Sequence, residues 1–415
     1  MYLYMNDFYS AKGTTLKGFR KAINEFEGNL VHRVVKMDDI TFVLLKDGTK
    51  GCPINKENYD RLQEMTLTGE GKLTIEDYET LKEEEPELFE ENRIRSGLLL
   101  SVGPDTFFVS ANAIPTIGTR LGLGGTKYEN KTFSRNLRIA QAVREIPDNP
   151  EVILVCLKRE DRKTDEWNGM KTIAIPSGEY VHIPLTWMAT IAMRFAKDGT
   201  LGRPKVTHWS LSHTLVSFEM EFPEYAEQLK EEYGFKELLI PGIHMETSPV
   251  TRSSFEVTGT FRPEGGYPIY DSSETRTHRG KVDIDAYIER VEKTVLAGVR
   301  KMSEELGKKL GSSLTSSEDE KDREEAYTRA ILAGFEDLKL SKALGERRAK
   351  EIKEGLLEEF NCDIPYTEYD IATLFLHLPE RVDPLTENTK KSLRIACKRA
   401  AFIDYKPSRM LVLPE

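Results

Sequence analysis

From Arg95 to Gly311, short β-rich apolar runs and stretches of helical periodicity follow one another in no regular order, which restricts the fold more than any other feature. "GLLLSV" and "TFFVSA" read as strands, "ANAIPTIGTRLGL" and "FSRNLRIAQAVREI" as helices. "EVILVCLK" and "KTIAIPS" then flank "RKTDEWNGM", whose Asn168-Gly169 signals a hairpin turn. "PLTWMATIAMRFAK" is a helix opened by Pro184 and stopped near Gly199. "KVTHWSLSHTLVSFEMEF" alternates like one long half-buried strand, "PEYAEQLKEEYG" is a short helix, and "ELLIPGIHMETS" and "SSFEVTGTFRPEGG" are further strands. A long helix carrying Ile284, Ile288, Val291, Val295 and Val299 at helical spacing closes the segment. Regular βαβ winding needs strict alternation, so the expected class is α+β, with a central mixed, largely antiparallel sheet.

The flanks differ from this centre. Residues 1–94 read as a small N-terminal α+β region, with strands in "NLVHRVV" and "ITFVLL" and then an acidic segment. From Lys56 to Glu91 there are thirteen Asp and Glu against four Lys and Arg, with Thr74 placed to cap a helix bearing Ile75, Tyr78 and Leu81. Such a helix presents either a solvated face or a partner-docking surface. The central α+β domain is assigned to residues 95–311. "GSSLTSSEDEKDREE" makes 312–325 a linker, and 326–415 reads as a C-terminal helical bundle with a basic last helix.

A chain of 415 residues exceeds what one core usually supports. No run approaches a membrane span, and the start lacks a basic region followed by an apolar one, so a cytoplasmic protein without membrane contact is expected. Cys52, Cys156, Cys362 and Cys397 are far apart in sequence, which argues against a disulfide framework or a zinc knuckle. A net charge of −10 disfavours adhesion of the whole surface to nucleic acid but leaves room for a local basic face.

The stretch "GTRLGLGGTKYENK" looks like a phosphate cradle, yet Thr126 and Lys127 stand in the reverse of the Walker order. The glycines also follow a helical pattern in Ile114, Ile117 and Leu121, so they read as a helix stop. Five of the seven histidines, His182, His208, His213, His244 and His278, fall in one central stretch without metal-ligand spacing. No metal, cofactor or catalytic residue is therefore assigned. "HMETSPVTRSS" and "ETRTHRGKVD" gather hydroxyls, guanidinium groups and histidines near strand ends, giving a candidate polar cluster of His208, His213, His244, Arg252, Ser253, Arg276 and His278. Two basic regions are candidate nucleic-acid contacts. One holds Lys131, Arg135, Arg138, Lys158 and Arg159, and the other Lys390, Lys391, Arg394, Lys398 and Arg399. In the second, Lys390, Arg394 and Lys398 form one helical stripe beside Leu393, Cys397 and Ala400.

Four stretches taken in order, "AIPTIGTRLGL", "KTIAIPSGEYVHIPLTWM", "METSPVTRSSFEVTGTFRP" and "TRTHRGKVDIDAYIERVEK", make residues 95–305 resemble a known family. It is the phage/plasmid-like family defined by the domain of unknown function numbered nine hundred and thirty-two. The Cys-Asn pair often found after that family's Ser-rich strands is absent, and "FRPEGG" stands in its place. The resemblance implies a mobile-element origin and a role in nucleic-acid metabolism, and it brings no catalytic residues.

Three functions follow as expectations. The first is a non-enzymatic nucleic-acid-associated protein that binds or anneals single-stranded DNA or RNA, with Trp and Tyr available for stacking. The second is a counter-defence or regulatory factor that binds a host protein through the acidic region. The third is a hydrolase or transferase with a His-centred site. A homo-oligomer is compatible with all three.

Overall fold

The computed structural model describes residues 3–44, 75–123, 132–143, 145–146, 148–158, 166–250, 253–280, 283–382 and 387–406. Its strands are β1 (Ser10–Gly13), β2 (Leu30–Lys36), β3 (Ile40–Leu44), β4 (Leu98–Val102), β5 (Asp105–Val109), β6 (Glu151–Leu157), β7 (Lys171–Ala174), β8 (Lys205–Ser212), β9 (Val216–Glu221), β10 (Leu239–Thr247), β11 (Phe255–Pro263) and β12 (Ile269–Arg276). The helices before residue 240 are α1 (Leu16–Gly28), α2 (Ile75–Glu84), α3 (Pro86–Arg95), α4 (Ile114–Arg120), α5 (Thr132–Val143), α6 (Thr186–Asp198) and α7 (Pro223–Tyr233). Those after it are α8 (Ile284–Leu310), α9 (Glu320–Asp337), α10 (Leu340–Leu344), α11 (Glu346–Glu358), α12 (Glu368–Leu376), α13 (Leu378–Arg381) and α14 (Glu387–Cys397).

The strands form two six-stranded sheets, so the protein is α+β as its sequence suggests. One sheet, ordered β1-β8-β9-β10-β11-β12, is antiparallel throughout. The other, β2-β6-β7-β5-β4-β3, is mixed, because β5 and β7 run parallel while its other pairs are antiparallel. The near-continuous apolar runs of the mixed sheet follow from burial on both faces. Along β6, Val152, Leu154 and Cys156 pack on one side with Ile117 of α4 and Ile139 of α5. Ile153, Val155 and Leu157 point the other way into the main core, as the period of two requires.

Residues 3–44 do not stand apart from the segment after residue 94. β1 pairs with β8 in the first sheet, β2 pairs with β6 in the second, and α1 spans the gap between them. Thr15 caps α1 by accepting from the Gly18 amide at 3.1 Å, and the helix buries Phe19, Ile23 and Phe26 along one stripe. A charged node fixes the chain ahead of β1. Lys171 Nζ, fully buried, lies 2.8 Å from Asp7 Oδ1, 3.4 Å from Glu91 Oε2, and donates to the Met5 carbonyl at 2.6 Å. Asp7 also accepts from Ser110 Oγ at 2.6 Å and the Ala111 amide at 3.0 Å.

Three local expectations change. The stretch 205–222 is a hairpin rather than one strand. Ser212 Oγ accepts from the Thr214 and Leu215 amides at 3.3 and 3.1 Å, and this side-chain turn interrupts an otherwise strand-like alternation. The acidic helix is two helices, α2 and α3, because Pro86 has no amide to donate and opens the second. Leu81, Leu88 and Phe89 are buried; Thr74 and most of the acidic segment ahead of it lie outside the described residues. The polar stretch 312–325 is tied down: the Leu314 amide donates to the Tyr366 carbonyl at 3.0 Å, and Asp319 caps α9.

The glycine stretch ends α4 as expected. Gly122 has φ +66°, a conformation that favours glycine, and the Leu123 amide donates back to the Gly118 carbonyl at 2.7 Å. Gly124–Lys131 lie outside the described residues. The C-terminal helices pack onto the antiparallel sheet, with Tyr327, Ile331, Phe375, Leu393 and Tyr405 in the same core cluster as Trp209, Phe218 and Val257. Among the described residues no helix is long and apolar enough to cross a membrane.

Candidate functional site

A cleft of about 460 Å³ opens where the two sheets meet, and the segments that line it are held by hydrogen bonds of both backbone and side chains. Thr116 Oγ1 donates to the Ala113 carbonyl at 2.8 Å and accepts from the Ile175 amide at 2.9 Å, which docks the first turn of α4 on the end of β7. Beyond β7 the chain turns, with the Tyr180 amide donating to the Ser177 carbonyl at 2.9 Å. It then pairs with the segment leaving β12 in the other sheet. The Val181 amide donates to the His278 carbonyl at 2.9 Å, and His278 Nδ1 lies 3.2 Å from the Val181 carbonyl. A carbonyl only accepts, so Nδ1 carries the proton and His278 clamps one sheet to the other.

Among the described residues the lining comes from four separate stretches of the chain. α4 contributes Thr116, Thr119 and Arg120, and the turn after β7 contributes Ser177 and Tyr180. Ser253 and Ser254 come from ahead of β11, and Thr277, His278 and Arg279 from beyond β12. Among the described residues no lining residue is acidic, although the chain carries a net charge of −10. Arg120 and Arg279 are exposed, and Arg276 Nη2 donates to the Arg279 carbonyl at 2.7 Å, bracing that loop.

Behind the cleft runs a chain of rings. Tyr180 stacks on His278 with centroids 5.1 Å apart, His32 lies 6.3 Å from Tyr180, and His182 lies 4.5 Å from His32. His182 Nε2 meets Glu27 Oε1, and the other oxygen of Glu27 accepts from the Leu185 amide at 2.9 Å. Burial lowers the pKa of His32 to about 4, with His182 adding to the effect and Glu27 opposing it. Burial also lowers that of His278, against the Val181 and Ser253 backbones, with His182 assisting. Burial raises the Tyr180 phenol. Tyr180 OH, Ser253 Oγ and His278 Nε2 are buried without a well-formed hydrogen bond among the described residues, as are His32 Nε2 and His182 Nδ1.

Of the seven residues in the polar cluster read from sequence, Ser253 and His278 line the cleft and Arg276 supports it. Arg252 lies outside the described residues. The other three histidines are elsewhere. His208 is exposed on β8, and His213 sits in the turn after it, with Nε2 2.6 Å from the Tyr4 carbonyl. Burial lowers the pKa of His213 to about 4. His244 lies between Glu219 at 3.0 Å and Glu246 at 3.8 Å; burial opposes its protonation, but the two carboxylates prevail and raise its pKa.

The basic residues are dispersed. Arg135 is partly buried and donates to the Ser96 carbonyl at 2.8 Å, and burial lowers its pKa. Arg138 is exposed and Lys158 half-buried. Arg394 lies over Tyr267 and Tyr270 at 5.0 and 5.9 Å, and Lys398 Nζ donates to the Asp271 carbonyl at 3.1 Å, so this part of the stripe faces β12. Leu393, Cys397 and Ala400 are buried beside it, and Arg399 is exposed. Lys131, Arg159 and the side chains of Lys390 and Lys391 lie outside the described residues.

Sequence reasoning missed Tyr180, Arg120 and Arg279 as site residues, and Glu27 and His32 behind them. Tyr180 is visible as the tyrosine of "SGEYVH". The pairing of Glu27 with His182 across 155 positions has no local signal. Among the described residues, no group of three His, Cys, Asp or Glu is placed to hold a metal ion. Comparison with protein-family models, with curated proteins and with solved structures gives no match to this chain.

Proposed function

We propose that the protein is a nucleic-acid-associated protein of a phage or plasmid that acts by binding, and that the cleft between its sheets takes the phosphate backbone of a single strand. The observation that carries this reading is the lining: among the described residues, two exposed guanidinium groups and six Ser and Thr hydroxyls without a carboxylate, in an acidic chain. Arginine and hydroxyl donors are the groups that hold phosphate oxygens, and a carboxylate there would repel them. The family resemblance supports the same direction, since all four of its stretches meet in this cleft. The C-terminal stripe is the weaker candidate, because Arg394 and Lys398 are engaged with β12.

Fluorescence anisotropy of a labelled single strand across a salt series tests this. Replacing Arg120 and Arg279 together by Ala should weaken binding about tenfold or more and reduce the slope of log affinity against log salt by about 1.4, two single-strand phosphate contacts. Arg399→Ala should change neither. A double variant that binds like the parent, or a parent that does not bind at low salt, overturns the reading.

A further inference from the structure

We propose that the cleft selects a ribose-bearing strand, with the sugar 2′-hydroxyl received by Tyr180 and Ser253 on its inner wall and the phosphate by Arg120 and Arg279 at its rim. The inference rests on the cleft being the phosphate site proposed above. Tyr180 retains 8% of its surface, and its hydroxyl and Ser253 Oγ are both buried without partners among the described residues. A buried hydroxyl without a partner is costly, so a ligand group that satisfies it gains more than the same contact made at the surface.

The chemistry of the wall selects the ligand group. Tyr and Ser hydroxyls both donate and accept, and His278, whose Nδ1 is committed to Val181, holds the Tyr180 ring in place beside them. A sugar hydroxyl is likewise both donor and acceptor, and it is the group that distinguishes RNA from DNA. Base edges carry fixed donor and acceptor patterns, read mainly by Arg, Asn, Gln, Asp and Glu. Among the described residues none of the last four lines the cleft, and the lining arginines Arg120 and Arg279 are at the exposed rim. The Tyr180 ring is held against His278, and the turn that carries it is closed by the Ser177 carbonyl, so its hydroxyl is placed before a ligand arrives.

Oligouridylate and oligodeoxyuridylate of equal length share base and phosphates and differ in the 2′-hydroxyl. The full chain should bind the ribose form about tenfold more tightly, the worth of one well-made hydrogen bond. Tyr180→Phe, which keeps the ring, should bring that ratio toward one while leaving the affinity for oligodeoxyuridylate in place. Ser253→Ala should act in the same direction and serves as the second variant should Tyr180→Phe unfold. Equal affinity of the parent for the two strands, or variants that weaken both strands alike, overturns the inference and leaves the phosphate site standing. Failure to bind either strand overturns the phosphate site itself.

Discussion

Lys171 has no exposed surface and neutralises two carboxylates that reach it from the residues before β1 and from α3. Removing one partner of a buried pair leaves an uncompensated charge, so Lys171→Met should cost about 3–5 kcal/mol in urea unfolding. Neutralising Asp7 as well, as Asn, should restore part of that loss. Although burial of Asp7 works the other way, Lys171 and the hydrogen bonds from Ser110 and Ala111 hold its pKa below the ordinary 3.8. Its contribution is therefore complete above that value and is lost as the pH falls through the folded value. His32 and His213 act at milder acidity. Each binds its proton near 6.5 when unfolded and at about 4 when folded, so stability falls as the pH drops between those values. His244 and His377, raised by their carboxylate neighbours, run in the opposite sense and stabilise most below 6.5. Comparing urea midpoints of the parent and His32→Leu at stepped pH isolates one share, and the variant should show the flatter decline from 6.5 to 4. None of these pairings is legible in sequence: "KTIAIPS" announces a strand, and its lysine reads as an ordinary surface charge until the fold brings Asp7 across.

Elements were far more legible than their contacts. Periodicity of two or of 3.6 is local, so β4 to β7, α6 and α8 could be read from the spacing of apolar residues and from boundary residues such as Pro184 and Gly199. The errors arose where one side chain overrode the pattern, Ser212 in the hairpin and Pro86 between α2 and α3. Helix packing is equally hidden. Gly334 in α9 faces Phe375 of α12 so closely that an added Cβ would stand 2.1 Å from a ring carbon. Gly334→Ala should therefore separate the two helices and destabilise by about 1–3 kcal/mol, the usual cost of overfilling a packed core, as read from the thermal midpoint. An unchanged midpoint would mean that α9 and α12 do not meet there.

At the scale of the whole molecule, the sequence divides into successive regions while the structure shares its cores among them. The first strands enter both sheets, and Phe375 and Tyr405 lie in the same cluster as Trp209. Urea unfolding followed by the fluorescence of Trp167, Trp187 and Trp209, all ahead of the C-terminal helices, should coincide with far-ultraviolet circular dichroism, which is dominated by the helices. Two separate transitions would show that the C-terminal helices stand alone. Long-range assembly is also why the cleft was only partly legible: two of its four segments were visible as polar clusters, the other two only as a helix and a strand, and their convergence was not. Hydrogen–deuterium exchange of the full chain with and without a single-stranded oligoribonucleotide tests that convergence most directly. The account predicts slowed exchange together in 114–121, 175–182, 253–255 and 277–280, with little change in 387–406. Protection confined to 387–406, with the four cleft segments unaltered, would contradict it.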